Sequence, residues 1–345
     1  MKKTQELEKI HIVRAILIVL IVLYHSSLFW TGTWFKVPTM YKSSALSWLA
    51  LWLNSFHIYC FTFVSGYLFY YLKREKGKYT NLIAFIKNTG FRLLLPYITV
   101  ALFWNIPFSL CFGMSPKILV RNYILGLSPE QLWFLLMLFG VFILFYAMEK
   151  CFYCKNTNQG NNSLFACCFF SFFIGIGGWA FIPNFFQIWR VLMFVFFFYM
   201  GYITRNGRIY QYLRIDGLSL TGYFLIYLFL FILAHFLYIS NYFMFKFTKL
   251  SIEYICHILG AFTMFHILLN LTKIFGKKLK IISDNAFGIY LFHQQIIYIW
   301  LYFMANKLNP YLTTFTAFII SLLLSLLITL TLSNISYTRK LIGLK

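Results

Sequence analysis

Acidic residues are scarce in this chain, with 8 Asp and Glu among 345 residues against 30 Lys and Arg. Charge of either sign is thin, at 11% of residues, where a soluble domain carries about a quarter. That shortage excludes an ordinary water-facing fold, because a chain of this length cannot hide its remaining apolar surface in one interior. Low-complexity linkers, internal repeats and a second domain are also missing, so one membrane domain is expected over 1–345. No small-residue cleavage site follows the first apolar run, which is therefore read as a retained helix and not as a removable leader. The seven cysteines form no even framework, which excludes a disulfide scaffold. Cys151 and Cys154 make a lone C-x-x-C without the second pair that a zinc site needs, so reduced thiols and no metal are expected.

What fills the sequence instead is hydrocarbon: 61% hydrophobic residues, 22% aromatic, and a mean hydropathy of +0.74. About 20 apolar residues cross a bilayer, and the runs near 12–30, 48–72, 92–112, 131–149, 164–182, 188–204, 218–239, 252–272, 284–304 and 312–335 each qualify. The expected fold is an all-α membrane protein, a single bundle of about ten transmembrane helices. Basic residues set its sidedness. With the N-terminus inside, 22 Lys and Arg fall in inner segments and 7 in outer ones, while Arg190 lies within a helix. Both ends are then cytoplasmic, in the cell (inner or plasma) membrane, of bacterial type. The net charge of +22 is accounted for by these short loops, so no nucleic-acid partner is expected.

Ionisable groups at bilayer depth cost about 2.5–3.5 kcal/mol for Arg or Asp and so mark function. In the first span, Arg14 and His25 stand eleven residues apart. That is almost three helical turns, which places both on one face, roughly 16 Å apart. The same residues also fit a snorkelling inner-flank anchor and a hydrogen-bonded packing histidine. His57 in the second span has a depth similar to that of His25, so the two imidazoles are expected in one outer-half cavity. Ser65-Gly66 reads as a close-packing contact between helices. Glu253 lies near the outer end of the eighth span, and His293 sits mid-helix with Tyr290 one turn earlier. His235, His257 and His266 read as packing or interface residues.

Several segments, in order, resemble the acyltransferase 3 family of integral membrane O-acyltransferases, in its fucose acetylase-like or surface-polysaccharide branch. They are the Arg14–His25 pair, F-H-I-Y-C-F-T-F-V-S-G-Y-L-F from Phe56, F-R-L-L-L-P-Y from Phe91, Q-L-W-F-L from Gln131, F-F-F-Y-M-G-Y from Phe196, and D-N-A-F-G-I-Y-L-F-H-Q from Asp284. The similarity covers roughly residues 8–336. Gln131 stands where many members have His, and Lys87 is the one plausible basic partner for Arg92. The resemblance implies transfer of an acyl group, most simply acetyl, from acyl-CoA to a hydroxyl of a cell-surface polysaccharide or lipid-linked sugar. Acetyl-CoA is then a donor substrate, no cofactor is held permanently, and the remaining partners are membrane lipids. Catalytic roles fall to His25, His57 and Glu253. Donor phosphates fall to Arg14, Lys87 and Arg92, and sugar contacts to Trp133, Tyr290 and His293. A lone interfacial tryptophan such as Trp133 is more often a membrane-belt anchor.

Two rivals belong to other classes. A transporter or flippase of a lipid-linked sugar would use membrane histidines as proton relays, but internal repeats and paired acidic residues are not evident. A glycan polymerase would carry large outer loops, and those expected here are under 20 residues long.

Overall fold

The structure, a computed structural model, describes residues 2–34, 37, 39–127, 130–152, 158–236 and 243–344. Lys36, Cys154, Lys155 and Lys345 lie outside them. In lipid every main-chain N–H and C=O must be met within the chain, which leaves helices as the answer for runs this apolar. Among the described residues there are helices, turns and no strand.

The order is α1 (Lys2–Leu28), α2 (Ser44–Asn54), α3 (His57–Tyr70), α4 (Leu82–Val100), α5 (Ile106–Cys111), α6 (Pro116–Ile124), α7 (Trp133–Phe152), α8 (Asn158–Phe181), α9 (Ile188–Asn206), α10 (Gly217–Phe236), α11 (Phe243–Phe275), α12 (Lys280–Met304), α13 (Pro310–Ser333) and α14 (Ser336–Leu341). Starts are set by local chemistry. The Asn81 side chain accepts from the Ile83 and Ala84 N–H groups at the head of α4, and Asp216 accepts from Ser219 N–H at the head of α10. α4 thus begins ten residues before the expected third span, and Lys87 falls inside a helix and not in a loop.

Among the described residues, eight helices are long and apolar enough to cross a membrane. They match eight of the ten expected spans; the other two, 48–72 and 284–304, do not qualify. The first of these is broken at Ser55-Phe56 into α2 and α3, each too short to cross alone. The second is α12, continuous over 25 residues but diluted by polar groups that turn inward: Asn285, His293, Gln294 and Gln295 are all buried.

The chain divides into two compact units, 1–64 with 207–326, and 65–206 with 327–345. In the first, α1 packs on α2, α11 and α12, and α10 packs on α11. Its core gathers Leu53, Phe56, Tyr227, Phe231, Cys256 and Met264. In the second, α9 receives α7 and α8, and α7 receives α4. Aromatic rings fill that core: Phe69 meets Phe198 at 5.5 Å and Phe145 at 5.7 Å. Gly66 lies directly against the main-chain carbonyl of Phe198, where any Cβ would overlap it. The expected close contact at Ser65-Gly66 is this one. The six described cysteines, 60, 111, 151, 167, 168 and 256, are free thiols.

Candidate active site

In the first unit, α1 is one uninterrupted helix, so Arg14 and His25 do share a face as the eleven-residue spacing requires. In the last turn of α1, His25 meets the middle of α12. Its Nδ1 lies 3.1 Å from His293 Nε2 and 3.1 Å from the Ile21 carbonyl. The two rings meet edge to face with centroids 4.9 Å apart. His293 is wholly buried, and its own Nδ1 sits 2.8 Å from the Tyr290 carbonyl and 3.1 Å from that of Ile289. Ser321 of α13 donates to the His293 carbonyl at 3.0 Å and so fixes this turn of α12.

His57 joins through Tyr24, whose ring lies 4.5 Å from it and 4.8 Å from His25. The break between α2 and α3 supplies carbonyls that a continuous helix would have used. Leu53 C=O accepts from His57 Nδ1 at 2.6 Å, and Ser55 C=O accepts from His257 Nδ1 at 2.8 Å. The Ser55 hydroxyl donates to Trp52 C=O and contacts the Tyr227 hydroxyl at 2.5 Å. Beyond α1, a left-handed Gly32 (φ 71°) turns the chain back and brings the Trp34 ring to 5.7 Å from His25. Gln294 Oε1, Thr263 Oγ1 and Trp52 Nε1 are buried with no hydrogen-bond partner among the described residues. A bound polar ligand or water would relieve each of them. No group of three or more His, Cys, Asp or Glu among the described residues is placed to hold a metal ion.

Of the nine residues singled out from the sequence, Arg14, His25, His57, Glu253, Tyr290 and His293 belong to this unit. Four of them, His25, His57, Tyr290 and His293, are brought together. Glu253 is engaged elsewhere, with Lys249 at 3.5 Å one turn back along α11. Lys87, Arg92 and Trp133 belong to the second unit. Lys87 and Arg92 are exposed on α4. Trp133 lies under the Arg190 guanidinium at 4.0 Å, which also reaches Trp179 at 4.5 Å.

A family model described as an acyltransferase domain matches residues 7–333, which takes in both units from α1 to the end of α13. The chain belongs to the acyltransferase 3 family. No curated protein and no solved structure matches it. Membership makes this a multi-pass membrane acyltransferase.

Three neighbours of the cluster were not singled out in the sequence. Tyr24 and Trp34 flank His25, and neither carries a signal beyond being aromatic. His257, read as a packing or interface residue, bonds to the broken helix and stacks on Tyr59 with centroids 4.3 Å apart. His235 and His266 instead bond back to their own helices, through Phe231 and Phe262 carbonyls.

A second polar centre was also missed. In the second unit Glu149, wholly buried, accepts from Lys73 at 2.6 Å and from the Tyr202 hydroxyl at 3.0 Å, and pairs with Arg74. Beside it Arg205 grips Glu75 through two bonds of 2.6 and 2.9 Å and reaches the Tyr67 hydroxyl at 3.0 Å. Lys73, Arg74 and Glu75 point into these partners from a wide turn, Tyr71–Glu75, in which Lys76 N–H bonds to the Tyr71 carbonyl five residues back. Each of these cations had been counted only as an orientation charge.

Proposed function

We propose that this acyltransferase moves an acyl group, most simply acetyl, from acyl-CoA to a hydroxyl of a cell-surface polysaccharide or a lipid-linked sugar. The observation that carries the reading is the meeting of His25 and His293 inside a membrane acyltransferase, an imidazole held by a second imidazole at bilayer depth. His25 takes the proton of the acceptor hydroxyl as its oxygen attacks the thioester carbonyl carbon. The carbon–sulfur bond then breaks, and the leaving thiolate recovers the proton from His25 as free CoA thiol. General base catalysis of this kind contributes about 10²–10⁴-fold. Arg14, on the same face of α1, is the proposed contact for the donor's phosphates. The exposed cations Lys87 and Arg92 are the proposed attractors of a polyanionic donor on the second unit. His57 and Tyr290 complete the acceptor side within the first unit. The proposed location is the bacterial cell membrane.

The test is direct. Membranes carrying the protein are incubated with acetyl-CoA labelled in the acetyl group, and glycan is then separated from donor. Label is expected in the glycan fraction, with stoichiometric release of free CoA thiol. An intact donor beside a translocated lipid-linked sugar would replace this reading with that of a transporter.

A further inference from the structure

The hydrogen bonds around the imidazoles fix where each proton sits. A carbonyl oxygen only accepts, so a ring nitrogen held against one must carry the hydrogen. His293 Nδ1 faces two carbonyls, those of Tyr290 and Ile289, at 2.8 and 3.1 Å. Its Nδ1 is therefore protonated, and in the neutral ring Nε2 is a bare acceptor. That acceptor faces His25 Nδ1 at 3.1 Å. His25 Nδ1 also faces the Ile21 carbonyl, so it carries the hydrogen and shares it between Ile21 O and His293 Nε2. What remains on His25 is an unprotonated Nε2.

The same rule applied to His57 and His257 leaves their Nε2 atoms bare too, because each holds a carbonyl with Nδ1. His25 differs from both in one respect. Behind it stands a second imidazole, a more basic acceptor than an amide carbonyl. When His25 becomes imidazolium, its Nδ1–H bond to a neutral nitrogen becomes charge-assisted and strengthens.

We infer that His293 is not a sugar contact but the positioning residue of a His293–His25 dyad, which fixes His25 in the tautomer with Nε2 free and makes Nε2 the atom that receives the hydroxyl proton. This rests on the acyltransferase reading for its chemistry, though not for its geometry. The bond orders of transfer are unchanged by it. The proton passes from the hydroxyl to His25 Nε2 and then to the thiolate, while His293 keeps its own Nδ1 hydrogen throughout.

Two substitutions separate this role from a packing one. In His293→Asn the side-chain amide reaches the place of Nδ1 and leaves that of Nε2 empty; in His293→Gln an amide oxygen reaches the place of Nε2. With labelled acetyl-CoA, His293→Asn is expected to lower kcat at least about tenfold with KM for the donor and acceptor within about twofold, and His293→Gln to stay within about threefold of the parent. Equal losses in both variants, or a loss confined to the acceptor KM, would overturn the dyad. An independent readout uses diethyl pyrocarbonate on the detergent-purified full chain, with His25 modification followed by peptide mass. His25 should react in the parent, about fivefold more slowly in His293→Asn, and at near-parental rate in His293→Gln. An unreactive parental His25, or one rate in all three proteins, also overturns it. Should the modification rates follow this order while the parent transfers no acyl group from any CoA thioester, the acyltransferase reading fails and the dyad stands.

Discussion

Around His25 the imidazoles hold main-chain carbonyls and one another, whereas around Glu149 charged side chains hold one another. Both centres are buried among helices, and the contrast shows two uses of polarity at depth. A neutral imidazole set against carbonyls keeps a lone pair in reserve and can take up a proton. A carboxylate closed between Lys73, Arg74 and Tyr202 has its oxygens committed and holds helices in place. On the proposed function the first centre changes its protonation state during turnover and the second does not.

The largest expected effect separates them by activity. His25→Ala should lower acyl transfer by about 10²–10⁴-fold while the melting temperature in detergent moves little. A His25 variant of full activity would end the assignment. Glu149→Gln should do the reverse. It leaves two half-buried cations, Lys73 and Arg74, without their carboxylate and is expected to cost about 3 kcal/mol of stability, read as a fall in melting temperature or in the yield of folded protein. If Glu149→Gln kept its stability but lost turnover, the second centre would be a working site and the contrast would collapse. Gly66→Ala comes next, at about 1–3 kcal/mol, because its Cβ would meet the Phe198 main chain, which cannot rotate away as a side chain does.

The smallest effect concerns pH. The Ser219 N–H and hydroxyl hold the exposed Asp216 carboxyl below its usual range. A depressed folded value means that the cap's contribution is present at neutral pH and drains as the pH falls below about 4. Asp216→Ala should remove that acid-side slope from a stability–pH curve and leave neutral-pH turnover unchanged.

Hydropathy made most of the fold legible, and it gave way at informative places. The two expected spans that fail the length and composition criteria are the ones lending His57 and His293 to the imidazole cluster. α2–α3 is interrupted where its carbonyls are needed, and α12 is diluted by inward amides. The Arg14–His25 relation was legible because eleven residues of unbroken helix fix a face. The meeting of His25 with His293 was not, since it joins residues 268 positions apart through the packing of α1 on α12. Glu149 stayed hidden for another reason. A single acid at the end of an apolar run looks like a flank, and its partners Lys73 and Arg74 look like loop charges until a wide turn aims both at it.

That turn, Tyr71–Glu75, has a consequence for how the chain tolerates change. Counted in residues, it is a surplus of one amino acid stored inside a helix. Deleting a single residue there would let ordinary winding resume, and Lys73, Arg74 and Glu75 would lose the directions that the wide turn gives them. Glu75 would swing off the Arg205 fork, so one codon holds the phase of this whole corner of the protein.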